Sequence, residues 1–514
     1  MPPKFTAAIQ AFKADKIPVF ERGEEEYERS VATPNLLYRF ARPDFVLQPE
    51  TEKHVVAIIQ QARRLKLQLT IKCGGHSYAG HSTAFEGTLI NDREDGYVIN
   101  GGRCPFVGVG GFILGGGLGP FSRSIGMGSD TVQEISIVTA DGELVTVKDT
   151  DDRQSPKGRL FWALCGAGGG NFGVVVEMKL AVKQLLAPGG VIVAGRYQWF
   201  AGKDEPDLFE QDDFMSTMHD FYTTDWPERM TIDSTWICDL RLPSGNGVRF
   251  LTYFDGDKED FDATIDKYIK HTTLVTQLKR RSLPEKTTRF LHETLVAQWS
   301  EETVKAFPTN KSYSIYSSFV FSNDRSTIES VTELIRKKAA AFRKAFPGER
   351  VEFLATFIHA GGKMTMYHMY LTLEWEDKWM ERDMRAFLRD AKEDLRPLSL
   401  NGMAAFRMYW GDNQDELRRI KKKWDKDNFF QSDQGVRLPG SKDGGKGDKD
   451  QGDNGKGDKG KGDKGKDKGK DEGKDTLDQG DDEDLTDSLA GKQWEVYETK
   501  DIVADLQELA DLGF

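Results

Sequence analysis

Three glycine clusters within the first 175 residues constrain this chain more than any other feature. They are Gly74-Gly75-His76-Ser77-Tyr78-Ala79-Gly80, the run from Gly108 to Gly119, and the run from Gly166 to Gly173. Glycine lets the backbone come close to a ligand and turn successive N–H groups toward a phosphate. One such cluster is explained by a tight turn; three in one half-chain point to a large anionic cofactor. The third cluster, Gly168-Gly169-Gly170-Asn171-Phe172-Gly173, satisfies G-x-G-x-x-G. A Rossmann fingerprint must follow a strand and open a helix. Here the cluster runs into Val174-Val175-Val176-Glu177-Met178-Lys179-Leu180, a strand pattern, so a Rossmann site is excluded. The chain has no G-x-x-x-x-G-K-[ST] run and no H-E-x-x-H, and its eight histidines do not cluster as metal ligands, so no metal site is expected.

The 514 residues suffice for two or more domains. Residues 441–475 are almost wholly Gly, Lys and Asp, with no apolar side chain to offset the entropy of ordering, and are expected to be disordered. Beyond them, Ile502, Val503, Leu506 and Leu509 recur at helical spacing after a candidate N-cap, Thr499; a short helix and a frayed acidic tail both fit. Most of the net charge of -12 sits in that tail: residues 476–514 carry 12 acidic residues against 2 lysines. The body is close to neutral, which gives no electrostatic footprint for nucleic acid. No run approaches 18 apolar residues, so no membrane span is expected. Four cysteines without a C-x-x-C pair, and an N-terminus without an apolar h-region, indicate a reducing, cytoplasmic setting.

Within the body, Val55, Val56, Ile58, Ile59, Ala62 and Leu65 predict an amphipathic helix over 52–66, capped by Thr51. Leu67 to Ile71 predicts a short strand leading into Gly74-Gly75-His76. Ile135 to Val147 predicts a hairpin turning at Asp141-Gly142. Runs from Gly173 to Val182, Val191 to Trp199, Phe250 to Phe254 and Val351 to Ile358 predict strands, and Ile328, Val331, Leu334 and Ile335 a helix. Asp415 to Asp425 predicts a basic helix. Residues 191–399 thus read as helices on one face of an antiparallel sheet.

Several motifs together carry a resemblance. They are Lys72-Cys73-Gly74-Gly75-His76-Ser77, then Gly102-Arg103-Cys104-Pro105-Phe106-Val107-Gly108, then Leu114-Gly115-Gly116-Gly117-Leu118-Gly119, and the Gly168–Gly173 run. With Tyr409-Trp410-Gly411 and Trp424 to Phe430, they resemble the vanillyl-alcohol-oxidase-type FAD domain, in its berberine-bridge-enzyme-like branch. The resemblance implies an α+β fold: a two-part PCMH-type FAD-binding domain over 35–190, a substrate domain over 191–399, and a segment over 400–440 returning to the FAD domain. A disordered linker over 441–485 and an acidic tail over 486–514 would follow. It implies FAD bonded to His76 and Cys104, with Gly74, Gly75 and Ser77 around the pyrophosphate. Further contacts are implied at Gly115, Gly116, Gly117, Gly170, Asn171 and Gly173. Such enzymes pass a substrate hydride to flavin, which O2 reoxidises. The partners implied are a small-molecule substrate, a small polar metabolite or sugar, and O2.

The chain departs from the family pattern at three joins. Asp92 and Gly96 nearly abut where relatives carry more chain, leaving 27 residues between His76 and Cys104. After His359-Ala360-Gly361-Gly362-Lys363 a substrate-domain strand reads as cut short before Tyr367. After Phe406 an aromatic-x-Asn segment is missing, so no catalytic base is assigned; Tyr367, Tyr370 and Tyr409 remain candidates alongside a packing role. Two functions stay open: an active FAD-linked oxidase, or a non-catalytic, truncated remnant of one.

Overall fold

The computed structural model describes residues 3–31, 42–73, 97–98, 100–102, 108–185, 191–242, 245–286, 312–360, 366–400, 410–431 and 435–440. Residues 1–445 form one compact unit. Gly74, Gly75, His76, Ser77, Cys104, Tyr409 and the whole segment 441–514 lie outside the described residues.

The chain opens with α1 (Pro3–Ala14), β1 (Val19–Glu21), α2 (Glu25–Val31), β2 (Phe45–Leu47) and α3 (Glu52–Leu65). The α3 helix starts as its sequence predicts, with Thr51 Oγ1 accepting from the His54 amide. It ends on Lys66 in the left-handed region. Its apolar stripe packs on Ala8, Ile9 and Phe12 of α1, so residues before 35 belong to this half of the core. The predicted strand at Leu67–Ile71 does not form a ladder among the described residues. Its apolar alternation goes into packing instead: Leu67 against α1 and α3, and Ile71 beside Val138 and Phe430.

Next come β3 (Tyr97–Val98), α4 (Val109–Leu114), α5 (Ser122–Ile125), β4 (Val132–Thr139), β5 (Leu144–Lys148), α6 (Pro156–Leu164), β6 (Gly173–Leu180) and β7 (Lys183–Gln184). The β4–β5 hairpin pairs Ile135 with Val147 and Val138 with Leu144. Gly142, at φ +79°, takes the turn position that a side chain would strain. The β6 strand joins the other edge of β4, giving a sheet of order β5-β4-β6.

The second half holds β8 (Val191–Phe200), α7 (Asp212–Thr223), β9 (Met230–Asp239), β10 (Asn246–Phe254), α8 (Lys258–Tyr268) and α9 (Thr272–Arg281). It continues with β11 (Ser282–Lys286), β12 (Tyr313–Ser322), α10 (Arg325–Ala345), β13 (Val351–Ala360), β14 (Met366–Trp375) and α11 (Glu381–Leu395). The strands form one antiparallel sheet of seven, in the order β11-β8-β10-β9-β13-β14-β12. Alternate residues such as Trp236, Phe353, Phe357, Leu371 and Leu373 face one side and bury themselves under α7 to α11. β13 and β14 pair without a break from Val351↔Trp375 to Ala360↔Met366; residues 361–365, where a strand was expected to be cut short, lie outside the described residues. The chain then returns through α12 (Gln414–Trp424), whose Leu417 and Ile420 pack among Ile135, Leu160 and Phe172 of the first half. No helix among the described residues is long and apolar enough to cross a membrane.

Candidate cofactor site

The second and third glycine clusters meet in space. The amide of Gly168 donates to the carbonyl of Leu114 at 2.8 Å, joining the loop after α6 to the loop after α4. Gly116 (φ +101°) and Gly117 (φ +78°) turn the first loop; Gly168 (φ +91°) and Gly170 (φ +72°) turn the second. The glycines do two different jobs. A Cβ at Gly117 would stand 2.8 Å from Cα of Gly128, and one at Gly173 would stand 2.4 Å from the carbonyl oxygen of Val138. Those positions let backbone pack on backbone. A Cβ at Gly111, Gly166 or Gly170 would meet no described atom within 4 Å, and at Gly116 it would reach only Met127 Cε at 3.4 Å. Bare backbone beside open space is what a large phosphate-bearing group needs, so these loops fit such a group.

Two buried side chains hold the loops. Asn100, 2% exposed, donates from Nδ2 to Ser122 Oγ at 2.7 Å and to the Gly126 carbonyl at 2.8 Å. Asn171, 4% exposed, donates from Nδ2 to the carbonyls of Ala167 and Gly168, both at 3.0 Å, and its Oδ1 accepts from the Val436 amide at 2.8 Å. The Asn171 side chain is therefore engaged within the protein on all three bonds, which leaves its expected role at a cofactor to the backbone.

The C-terminal segment completes the arrangement. Lys421 Nζ donates to the Asn171 carbonyl, to Asp425 Oδ2 and to the Phe430 carbonyl, each at 2.6 Å. Asp425 also accepts from the amides of Phe429 at 2.7 Å and Phe430 at 2.9 Å. Both charged side chains are fully buried. Burial pulls the Lys421 amine below the usual lysine range, and Asp425 opposes that pull. Trp410 Nε1 adds a bond to the Ala167 carbonyl at 3.2 Å. Sequence reasoning missed Lys421 because a basic helix reads as solvated. The available signal was its place beside Leu417, Ile420 and Trp424 on the apolar stripe.

Toward the first glycine cluster, Lys72 donates from Nζ to the Ser30 carbonyl at the end of α2, and burial lowers its pKa to about 7. The free thiol of Cys73 lies beside α4, 3.6 Å from where a Cβ on Gly110 would stand.

Arg123, on α5, ties this half to the seven-stranded sheet. It is 6% exposed and donates to the carbonyls of Met230 at 2.8 Å and Trp226 at 2.6 Å, and to His359 Nε2 at 3.0 Å. Accepting from a guanidinium leaves the proton of neutral His359 on Nδ1. Burial, and then the Arg123 charge, holds His359 well below the usual histidine range. Tyr367 stacks on His359 with ring centroids 4.9 Å apart and is 1% exposed, a packing position; burial pushes its hydroxyl far above the usual tyrosine range.

The face of the sheet away from the helices carries an apolar cluster of Ile192, Ala194, Leu251 and Tyr253 and, beside it, a polar row. One cross-strand row runs Gln198, Arg249, Thr235, Thr356, Tyr370 and Ser318 over β8, β10, β9, β13, β14 and β12. Thr235 Oγ1 and Thr356 Oγ1 lie 3.2 Å apart at its centre. Of the two described tyrosine candidates, Tyr370 is on this face and Tyr367 on the other.

The joined glycine loops and, through Arg123, the seven-stranded sheet make one scaffold. Comparison with known proteins shows what that scaffold is similar to. The profile described as "FAD binding domain" matches residues 43–94 and 93–148, and "Berberine and berberine like" matches residues 391–437. The FAD-linked oxidoreductase easE of Arthroderma benhamiae is 25% identical over 81% of this chain and 95% of its own length. A monolignol oxidoreductase, AtBBE-like 13 of Arabidopsis thaliana, is 29% identical over 33% of this chain; the chain spans 39% of that relative's length. The structure of berberine bridge enzyme from Eschscholzia californica superposes with a TM-score of 0.64 at 16% identity, covering 84% of this chain and 99% of that one. These matches support a berberine-bridge-enzyme-like FAD-linked oxidoreductase, and the superposition shows the same fold.

Proposed function

We propose that the chain is an FAD-dependent oxidase of a small polar metabolite or sugar, with flavin attached at His76 and Cys104. The observation that carries the cofactor reading is the pair of joined glycine loops, where a Cβ at Gly166 or Gly170 would meet no described atom within 4 Å. FAD, when bound, supplies the acceptor for the substrate hydride and passes the electrons to O2. The chain's own groups do the rest. Gly116 and Gly170 would keep side chains away from the cofactor, Gly115, Gly117 and Gly173 let the backbone pack so that the loops hold their course, and Gly74, Gly75 and Ser77 would wrap its pyrophosphate. Arg103 stands next to Cys104, where its charge favours the thiolate needed for attachment. The polar row from Gln198 to Ser318 supports a hydroxylated substrate, since it offers hydroxyl, amide and guanidinium groups in one line. A relative named carbohydrate oxidase, from Microdochium nivale, is 30% identical over 34% of this chain and points the same way.

One observation favours a second reading, the non-catalytic remnant. The two FAD-domain matches abut at residues 93–94, where only three residues separate Asp92 from Gly96. The test separates the readings. Purified chain is acid-precipitated, digested and analysed by mass spectrometry. The expected outcome is a yellow pellet with flavin mass on the His76 peptide and on the Cys104 peptide. Flavin on the His76 peptide alone removes the second tether, and a colourless protein that takes up no FAD supports the remnant.

A further inference from the structure

Lys421 is an expensive residue in its place. It occupies the apolar stripe of α12, between Ile420 and Trp424, where a leucine would pack without cost. Instead it carries a charge that is 0% exposed and pairs with an equally buried Asp425. Buried ion pairs seldom add net stability over apolar side chains of similar size, so such a pair calls for another explanation.

Its hydrogen bonds supply one. All three Nζ donors are directed: to Asp425, to the Phe430 carbonyl, and to the Asn171 carbonyl 250 residues away in sequence. The loop from Ala167 to Gly173 holds Gly168 and Gly170 at positive φ and has few side chains to steady it. The segment 410–436 steadies it from outside by three bonds: Trp410 Nε1 to the Ala167 carbonyl, Lys421 Nζ to the Asn171 carbonyl, and the Val436 amide to Asn171 Oδ1. The same loop then reaches the other glycine loop through Gly168 and Leu114.

We infer that Lys421 and Asp425 are positioning residues for the cofactor: they set the main chain at Asn171 and thereby make the C-terminal segment part of the FAD site. This rests on the reading of the glycine loops as that site. A loop fixed at both ends presents its glycine backbone in one conformation, so binding does not have to order it. Coupling of this kind is reciprocal, so FAD should in turn order the C-terminal segment.

Two arms test this on the full-length chain, with FAD as the probe. In the first, Lys421→Met with Asp425→Leu replaces the pair by apolar groups of similar length, and thermal unfolding is read beside flavin content after gel filtration. The expected result is a folded variant with a lowered melting temperature, because the carbonyls of Asn171 and Phe430 and the amides of Phe429 and Phe430 lose their partners, with retained FAD lowered roughly tenfold or more and an altered visible circular dichroism of the remaining flavin. A folded double variant with wild-type flavin content and dichroism overturns the inference. The second arm needs no variant. Amide exchange at Phe429, Phe430 and Val436 is compared in wild-type protein produced with and without riboflavin supply. Slower exchange in the FAD-loaded protein supports the coupling, and equal exchange overturns it. A wild-type chain that takes up no FAD overturns the reading of the site and this inference together.

Discussion

Replacing Arg123 by methionine tests the joint between the glycine-loop half and the seven-stranded sheet. Methionine keeps most of the stem, so the change removes hydrogen bonds more than volume. Three buried acceptors lose their donor: the carbonyls of Trp226 and Met230, and His359 Nε2. A buried acceptor left without a partner costs roughly 1–3 kcal/mol. Against this, the variant no longer has to hold a guanidinium out of water, a burden visible in the lowering of the Arg123 pKa by burial. The net loss expected is about 3–5 kcal/mol, the range for removing one member of a buried charged network. At about 2 °C per kcal/mol for a body of this size, the first transition in differential scanning calorimetry should fall by roughly 6–10 °C. Arg123→Lys should recover less than half, because an ammonium lacks the planar fork that reaches acceptors on different elements. A methionine variant within about 1 kcal/mol of wild type would refute the reasoning and make the joint a packing contact only.

Other outcomes follow from the same geometry. His359 titrates in the folded protein well below its unfolded value of about 6.5. Below that pH the unfolded chain binds a proton that the folded chain refuses. Stability should therefore fall as pH drops from 6.5, by up to about 1.4 kcal/mol per pH unit, and His359→Gln should flatten that part of the denaturation-versus-pH curve. Gly170→Ala places a methyl in open space at positive φ, so urea denaturation should show a loss of only about 1–2 kcal/mol, while FAD uptake falls sharply. Gly117→Ala, with its Cβ forced against Gly128, should instead fail to accumulate as folded protein in a soluble-fraction assay. Deleting residues 441–514 should leave the melting temperature and flavin content of the remaining chain unchanged; a clear loss of flavin would show that the tail contributes to the body.

Much of the local structure was legible in the order of residues. The α3 helix with its Thr51 cap, the β4–β5 hairpin turning at Asp141-Gly142, and the long helix α10 all stand where periodicity and turn chemistry put them. Each is decided within a few residues: by a cap that accepts one amide, by a glycine that tolerates positive φ, by apolar spacing of three and four. The segment Leu67–Ile71 shows the limit of that reasoning. It carries a strand's alternation, but a strand also needs a neighbour to bond with, and alternation alone does not supply one. The β13–β14 pair shows the converse: the run from Val351 to Ile358 reads as extended, and pairing along ten residues of each strand was decided by the register of the whole sheet.

The site divides in the same way. By itself the sequence determined that glycine backbone would be gathered into three clusters, and its motifs carried the resemblance to FAD-linked oxidoreductases. Which glycines only let chain pack on chain, and which face open space, was decided by tertiary structure, because that depends on atoms brought in from elsewhere. The same holds for the polar groups. Lys421 meets Asn171 across 250 residues, and Arg123 meets His359 across 236. A buried charge or amide is stable only where partners surround it. Those partners come together only when the helix returning from the far end of the chain settles against the glycine loop, a geometry that no local stretch of sequence encodes.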